Sequence, residues 1–166
     1  MRWTGHLLLL LMTLLGGGGA METGRLQVGD VAPPILAETM RNGEFDLSEL
    51  EGEVVLLQFW ASWCQSCIAE MPNVAQLHAE FGESGLEIIS ISLDDEPKDA
   101  RRAVSQQRMV WRQIVEGQGK ESPLAKSYGV HGTPYFVLIG RDGGILAPVV
   151  KPSELAERVR EAIASK

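Results

Sequence analysis

The stretch that decides the fold is Phe59-Trp60-Ala61-Ser62-Trp63-Cys64-Gln65-Ser66-Cys67, residues 59–67. It completes the apolar run 54–60, whose unbroken hydrophobicity and length are typical of a strand buried on both faces. From residue 64 to residue 81, apolar side chains recur with the 3.6-residue period of a helix. The sequence therefore predicts a buried strand, a short turn and a helix that begins at the first cysteine.

Cys64 and Cys67 are the only two cysteines in the chain. A pair three positions apart closes too small a loop to stabilise a fold much, and a chain of 166 residues buries a sufficient core without such a staple. A helix N-terminus offers free N–H groups and a partial positive charge, and both favour a thiolate. We therefore expect thiol–disulfide exchange, with Cys64 as the exposed attacking thiol and Cys67 as the more buried resolving thiol.

Two other interpretations of the pair stay open: an inert structural feature, and half of a metal site. Zinc takes four ligands as a rule. The chain has no second CxxC motif, and its three histidines are His6, His78 and His131. We expect redox chemistry, with no metal and no cofactor besides the Cys64–Cys67 disulfide itself.

Outside this stretch, the pattern predicts one α/β domain without repeats. Residues 86–93 form a second buried strand, joined to the first by a parallel crossover. Pro72 lies inside the intervening helix and is expected to kink or divide it. The other predicted elements are a helical turn at 46–50, a helix at 97–109, a strand at 111–115, a helix at 122–128, a hairpin of strands 135–139 and 145–150, and a final helix capped by Ser153.

The first twenty residues have the pattern of an export signal. Arg2 precedes a nearly continuous apolar run at 7–15, and small residues follow at 16–20. A membrane span needs about 20 apolar residues, more than this run supplies. We expect a signal peptide at 1–20, cleaved after about Ala20, with a short membrane anchor as the alternative, and one domain at 21–166. The protein would then work in the periplasm or cell envelope, where disulfides persist.

The charge balance excludes two classes of partner. The formal net charge is −7, and removal of residues 1–20 takes away one basic residue and no acidic one, which leaves −8. A nucleic-acid-binding protein carries a basic patch, and docking on anionic lipid also needs basic residues. We therefore expect no nucleic acid partner and no electrostatic docking on a membrane, and we expect a monomer.

Three motifs together resemble the thioredoxin superfamily. They are the WCxxC stretch at 63–67, the continuation Ile68-Ala69-Glu70-Met71-Pro72, and the loop Gly129-Val130-His131-Gly132-Thr133-Pro134. With the start at 29–33, they are similar to the exported TlpA/ResA-type branch, which is related to redoxins and to AhpC/TSA proteins. The resemblance covers roughly residues 28–163. It implies a thioredoxin-like fold: a central mixed β-sheet flanked by helices, with an N-terminal extension.

The resemblance also implies roles for particular residues. Glu70 matches the glutamate that borders the active-site cavity and would exchange a proton with Cys67. Pro134 matches a cis-proline that faces the disulfide, where Thr133 would offer its backbone to an extended substrate beside Trp63. Gln58 stands where cytoplasmic thioredoxins have a buried acid, which moves the proton role to Glu70 or water. The dipeptide 65–66 departs from the common pattern with proline before the second cysteine.

The function that this resemblance implies is exchange of disulfides with protein substrates outside the cytoplasm. A reductant that receives its electrons from a membrane thiol donor is favoured. An oxidant would use the same chemistry with a higher reduction potential. One alternative is a peroxiredoxin-like peroxidase, although Ala61 occupies the position where those enzymes have threonine or serine. The other is a copper or metal chaperone using Cys64, Cys67 and His131, although copper chaperones of this fold have three residues between their cysteines.

Overall fold

The computed structural model describes residues 25–165, so the expected signal peptide at 1–20 lies outside the described residues. Within residues 25–165, seven strands form one mixed sheet. They are β1 (Leu36–Thr39), β2 (Gly43–Asp46), β3 (Val54–Trp60), β4 (Leu86–Ser92), β5 (Arg112–Val115), β6 (Tyr135–Ile139) and β7 (Ile145–Ala147). Four α-helices accompany this sheet: α1 (Gln65–Phe81), α2 (Pro97–Gln106), α3 (Pro123–Ser127) and α4 (Leu155–Ala164).

The sheet has the order β2-β1-β5-β4-β3-β6-β7. Its centre is β3, which pairs in parallel with β4 and antiparallel with β6. Strand β4 continues in parallel to β5, while the β1–β2 hairpin and β7 complete the sheet antiparallel to their neighbours. The predicted parallel crossover between the first two buried strands is therefore present.

Strand β3 is buried along its whole length because both of its faces are covered. Leu56 and Trp60 belong to a core cluster that includes residues of α1 and α4. Leu57 and Phe59 belong to a second cluster that includes residues of α3. Successive residues of a strand point to opposite faces, so two covered faces require apolar residues at almost every position, as the sequence has at all but Gln58.

Helix α1 is one helix of 17 residues, and Pro72 does not divide it. Proline lacks an N–H group and removes one backbone hydrogen bond from a helix interior. Pro72 lies on the exposed side, whereas Met71, Val74 and Leu77 are buried on the other side. Burial of that apolar face keeps the helix continuous across the missing hydrogen bond.

The region before β3 contains two strands that the sequence did not predict. Asn42-Gly43, a dipeptide typical of tight turns, joins β1 to β2. The Thr39 hydroxyl donates to the Gly43 carbonyl at 2.9 Å and accepts from the Asn42 N–H at 3.0 Å. The predicted helical turn follows as a 3-10 turn, Leu47–Leu50, with Asp46 as its N-cap. Both strands are mostly exposed and hold few apolar residues, so no hydrophobic pattern marks them in the sequence.

Two predictions for the C-terminal part are wrong. Ser153 does not cap the last helix: a 3-10 turn, Pro152–Glu154, comes first, and α4 begins at Leu155 without a side-chain cap. The last strand ends at Ala147 instead of residue 150, because Pro148 has no N–H to continue a ladder. None of the helices in residues 25–165 is long and apolar enough to cross a membrane.

Candidate active site

Cys64 and Cys67 lie where β3 passes into α1. Strand β3 ends at Trp60, and the N–H of Cys64 donates to the Ala61 carbonyl at 3.1 Å, which closes a tight turn. Cys64 is the N-cap of α1, as the sequence predicts, and its carbonyl accepts from the Ile68 N–H at 3.1 Å. The two cysteines form a disulfide with their Cα atoms 5.2 Å apart.

The two sulfurs differ in accessibility in the predicted order. Cys64 retains 7% of its accessible surface, whereas Cys67 is fully buried in the cluster beneath α1. Cys64 is thus less exposed than the sequence suggested, since its sulfur is bonded to Cys67 and also accepts from the Cys67 N–H at 3.2 Å. An approaching substrate sulfur therefore meets Cys64 before Cys67.

The start of α1 favours a negative charge on the Cys64 sulfur. The first turn contains no acidic residue, and the backbone N–H of Cys67 points at the sulfur. The positive end of the helix dipole lies at the same place. A helix N-terminus of this kind stabilises a thiolate relative to a thiol.

Ser66 is a residue of the site that the sequence did not single out. Its hydroxyl oxygen lies 3.4 Å from Cys64 Sγ, and the side chain is otherwise exposed. The signal was available, because the dipeptide between the cysteines places a hydroxyl at position 66. In the reduced state this hydroxyl can donate to the Cys64 thiolate alongside the Cys67 N–H.

The loop before β6 brings the predicted cis-proline to the same end of the sheet. The Thr133–Pro134 peptide bond is cis. Strand β6 pairs Tyr135 with Phe59, so Pro134 lies beside the end of β3 where the turn to Cys64 begins. Thr133 and Pro134 are half-buried, and Trp63 exposes 59% of its surface next to Cys64 in the chain.

The other polar residues predicted near the site have different surroundings. Glu70 is half-buried one helical turn beyond Cys67, and its carboxylate accepts from Asn73 Nδ2 at 2.9 Å. His131 is exposed in the loop before Pro134. His78 packs against the Trp111 ring, with centroids 5.9 Å apart. Among residues 25–165, no group of three or more acidic, cysteine or histidine side chains is arranged to hold a metal ion.

Gln58 is fully buried in β3, and both ends of its amide have partners. Its Nε2 lies 3.7 Å from the Met71 sulfur, and its Oε1 accepts from the Ser90 hydroxyl at 2.6 Å. The Ser90 oxygen in turn accepts from Trp111 Nε1 at 2.8 Å. A neutral amide neither releases nor takes up a proton near neutral pH, so Gln58 links β3, β4 and α1 without acid–base chemistry.

Asp94 is the second residue that the sequence missed, and it holds the turn before Cys64. Its carboxylate accepts the Ser62 N–H at 3.0 and 3.1 Å and the Ser62 hydroxyl at 2.5 Å. Ser92 donates a further hydrogen bond at 2.8 Å. Asp94 lies 32 positions from Ser62 and follows β4, so only the pairing of β3 with β4 brings the two together.

A cavity of about 260 Å³ lies at the opposite end of the sheet from the disulfide. Val55 at the start of β3 and Ile139 at the end of β6 line it, together with Leu47 and Leu50 of the 3-10 turn. The cysteines do not line this cavity. Trp63, with 59% of its surface exposed, and the half-buried Thr133 and Pro134 lie at the disulfide end of the sheet instead.

The chain is similar to proteins of known fold and chemistry. The model of the AhpC/TSA family matches residues 28–147, most of the described chain. The chain belongs to the AhpC/TSA family. Its described core holds the WCxxC turn and the cis-proline loop at one end of a mixed sheet, and the predicted thioredoxin-like fold is confirmed.

Two relatives of this chain are named thiol-disulfide oxidoreductases. The thiol-disulfide oxidoreductase ResA of Bacillus thuringiensis (strain Al Hakam) is 28% identical over 126 residues, which cover 76% of this chain and 71% of that protein. ResA of Oceanobacillus iheyensis is 35% identical over 115 residues, covering 67% of this chain and 59% of that one. Together with the Cys64–Cys67 pair, these matches make the protein an oxidoreductase of the predicted TlpA/ResA type.

A solved structure agrees with this assignment. The putative thiol:disulfide interchange protein DsbE from Chlorobium tepidum superposes with a TM-score of 0.76 and 29% sequence identity. The match covers 84% of this chain and 99% of that one. The similarity therefore extends over most of this chain and is not confined to the CxxC motif.

Proposed function

We propose that this oxidoreductase reduces disulfides of protein substrates outside the cytoplasm, with Cys64 as nucleophile and Cys67 as resolving thiol. The observation that carries the proposal is the different setting of the two sulfurs. Cys64 is the partly accessible N-cap of α1 and accepts the Cys67 N–H, whereas Cys67 is fully buried. The accessible sulfur is the one whose thiolate the helix end stabilises.

The proposed reaction is a two-step exchange. The Cys64 thiolate attacks one sulfur of a substrate disulfide, forms a mixed disulfide, and releases the other substrate sulfur, which takes up a proton. Cys67 loses its proton and attacks Cys64 Sγ, which breaks the mixed disulfide and releases the second substrate thiol. The substrate gains two electrons and two protons, and the protein is left with the Cys64–Cys67 disulfide.

Glu70 is the proposed acceptor of the Cys67 proton. It lies one helical turn beyond Cys67, a spacing that brings side chains of a helix near one another. Its half-buried carboxylate accepts from Asn73, an interaction that leaves its second oxygen available to a proton or a water molecule. Gln58 is unsuited to this role because its amide does not titrate.

An extended substrate segment would bind beside the disulfide. The Thr133 backbone precedes the cis-proline at the same sheet end as Cys64, and main-chain pairing there suits any sequence in an extended conformation. Trp63 offers an exposed apolar ring next to the nucleophile. We propose Trp63, Thr133 and Pro134 as the substrate-binding residues.

The reducing direction and the location are further parts of the proposal. A reductant must be reduced again after each turnover, and outside the cytoplasm a membrane thiol donor would supply the electrons. The apolar run at 7–15 supports export, with cleavage after about Ala20. The names of the relatives, thiol-disulfide oxidoreductase ResA, support the same chemistry. We propose that the exported protein acts as a monomer.

The reduction potential of the Cys64–Cys67 pair tests the proposal. The purified protein is equilibrated in defined thiol–disulfide buffers, and tryptophan fluorescence reports its redox state. A value near about −270 mV supports a reductant, and a value near about −120 mV overturns the direction in favour of an oxidant. Peroxide consumption is measured in parallel. Rapid turnover would favour the peroxidase alternative, although Ala61 stands where peroxiredoxins have threonine or serine.

The proposed export has its own test. The gene is expressed in a bacterial host, and the mass of the protein recovered from the cell-envelope fraction is measured. A chain that begins at Met21 supports cleavage after Ala20. A full-length chain held in the membrane fraction contradicts cleavage and supports the anchor.

A further inference from the structure

Asp94 is a buried carboxylate at the entrance to the active-site turn. Asp94 exposes only 2% of its surface. Both oxygens accept hydrogen bonds, from the Ser62 N–H, the Ser62 hydroxyl and the Ser92 hydroxyl. All of these partners are donors, an arrangement that suits an ionised carboxylate, which accepts only.

These hydrogen bonds fix the segment that presents Cys64. Ser62 is one of the two central residues of the turn closed by the Cys64 N–H and the Ala61 carbonyl. The Leu93 N–H donates to the Trp60 carbonyl at 2.7 Å, so the ends of β3 and β4 are joined directly beneath that turn. A turn held from below by a buried residue keeps the Cys64 sulfur at the N-terminus of α1.

The charge of Asp94 has no cationic partner within the described part of the chain. The ion pairs found in residues 25–165 are made by other carboxylates, and all of them lie at the exposed or half-exposed surface. A buried negative charge is poorly screened by solvent. The carboxylate contacts Ser62, two residues before Cys64 in the turn that Cys64 closes. Cys64 gains a negative charge when it forms a thiolate on reduction, and a like charge close to a thiolate disfavours it.

We propose that Asp94 is a positioning residue of the exchange reaction, which holds the Ser62 turn and whose charge keeps the Cys64–Cys67 pair reducing. The charge disfavours the Cys64 thiolate, which exists only in the reduced protein. The disulfide form is favoured as a result, and the dithiol becomes a stronger electron donor. This inference rests on the proposed exchange at Cys64 and adds a cause for its direction.

The test measures the equilibrium of the pair with glutathione in wild type and Asp94→Asn. The reaction oxidises the protein dithiol to its disulfide while one oxidised glutathione is reduced to two glutathione thiols. Asparagine keeps an oxygen for the Ser62 N–H and removes the charge. We expect the equilibrium constant for disulfide formation to fall about five-fold or more, and the alkylation rate of reduced Cys64 near pH 7 to rise.

Two matched controls separate charge from structure. Asp95→Asn removes the same charge from the next residue, which is exposed and therefore screened. Ser92→Ala removes a hydrogen bond to the Asp94 carboxylate and leaves the charge in place. Both are expected to change the equilibrium constant less than about two-fold. If thermal unfolding shows that Asp94→Asn does not fold, Asp94→Ser takes its place, since it removes the charge and keeps an oxygen.

The outcomes are distinguishable. An unchanged equilibrium in Asp94→Asn, a shift toward the disulfide, or an equal shift in Ser92→Ala overturns the role of Asp94 and leaves the exchange reaction standing. A wild-type protein that forms no reversible disulfide overturns both the exchange reaction and this inference. A fall in the constant confined to the Asp94 variants supports the proposal.

Discussion

At the scale of single residues, some neighbours of the Cys64 sulfur stabilise its thiolate and others destabilise it. The Cys67 N–H and the Ser66 hydroxyl lie within 3.2 and 3.4 Å of it and favour its thiolate. Asp94 is distant from Cys64 in sequence but accepts hydrogen bonds from Ser62 in the turn before it, and its negative charge disfavours the thiolate. The reactivity of the pair thus depends on neighbours that an alignment of the CxxC motif alone does not reveal.

Replacement of Ser66 tests the first of these influences. Ser66→Ala removes a hydroxyl donor that stabilises the charged sulfur more than the neutral one. We expect alkylation of reduced Cys64 with iodoacetamide near pH 7 to slow by about two- to five-fold. Gln65→Ala, at the neighbouring exposed position, is the control and is expected to alkylate like wild type. Equal rates in all three proteins would show that the hydroxyl does not act on the thiolate.

The different roles of the two cysteines are tested by trapping. Reduced Cys67→Ser keeps the attacking thiol and lacks the group that resolves the mixed disulfide. We expect it to accumulate a covalent glutathione adduct on Cys64 when mixed with oxidised glutathione, measured by intact mass. Cys64→Ser leaves a thiol that is fully buried in the wild-type structure, and its adduct is expected to form at least ten-fold more slowly. Faster adduct formation in Cys64→Ser would reverse the assignment.

At the scale of elements, the passage from α1 to β4 depends on one glycine. Helix α1 is followed by a 3-10 turn, Gly82–Ser84, and Gly85 then takes a φ of +94° before β4 begins. A side chain on Gly85 would be strained by this φ and would also meet the Glu53 carboxylate. The Gly85 carbonyl accepts from the Val54 N–H at 2.9 Å, so this strain would act at the start of β3.

Replacement of this glycine is expected to destabilise the whole domain. Gly85→Ala should lower the free energy of unfolding by about 1–3 kcal/mol, measured by urea denaturation. Gly82→Ala is the matched control, since Gly82 has a helical φ of −55° and open space where its Cβ would lie. Alanine there should leave the stability unchanged or raise it by up to about 1 kcal/mol. Similar losses in both variants would contradict the role of the positive φ.

At the scale of the whole molecule, Tyr128 joins distant parts of the chain. It is fully buried in the core cluster beneath α3, and its hydroxyl donates to the Pro33 carbonyl at 2.6 Å across 95 positions. Burial raises the pKa of Tyr128 well above its ordinary value near 10. Burial also raises the pKa of Tyr135, although the positive charge of Arg25 opposes that shift.

The raised pKa of Tyr128 predicts a loss of stability in alkali. Because the folded protein holds this proton more tightly than the unfolded chain, the contribution is complete below pH 10 and falls as pH rises above it. We expect the free energy of unfolding to decrease as the pH rises from about 10 to about 12, measured by urea denaturation. Tyr128→Phe should weaken that dependence and cost about 1 kcal/mol near pH 7, since the Pro33 carbonyl loses its donor. An identical pH dependence in Tyr128→Phe would contradict this assignment.

The elements around the active site could be predicted from the sequence because their signals are local. The six apolar residues of β3, the 3.6-residue period of α1 and the Thr133-Pro134 dipeptide each occupy one short stretch. Cys64 as the N-cap of α1 follows from two neighbouring patterns. The weaker predictions concerned boundaries, such as Ser153, where the chain enters α4 through a 3-10 turn whose geometry no single residue specifies.

The sequence by itself determined the buried strand, the helix with two cysteines at its start, and hence the chemistry of the pair. The tertiary structure alone decided what surrounds that pair. The contacts of Asp94 with Ser62 and of Gln58 with Ser90 each join residues 32 positions apart. Such contacts depend on the order and register of β3 and β4, which residues spread over the whole sheet establish together. Hydrogen bonds between distant segments leave no periodic signal in the chain, and for that reason only the folded protein reveals them.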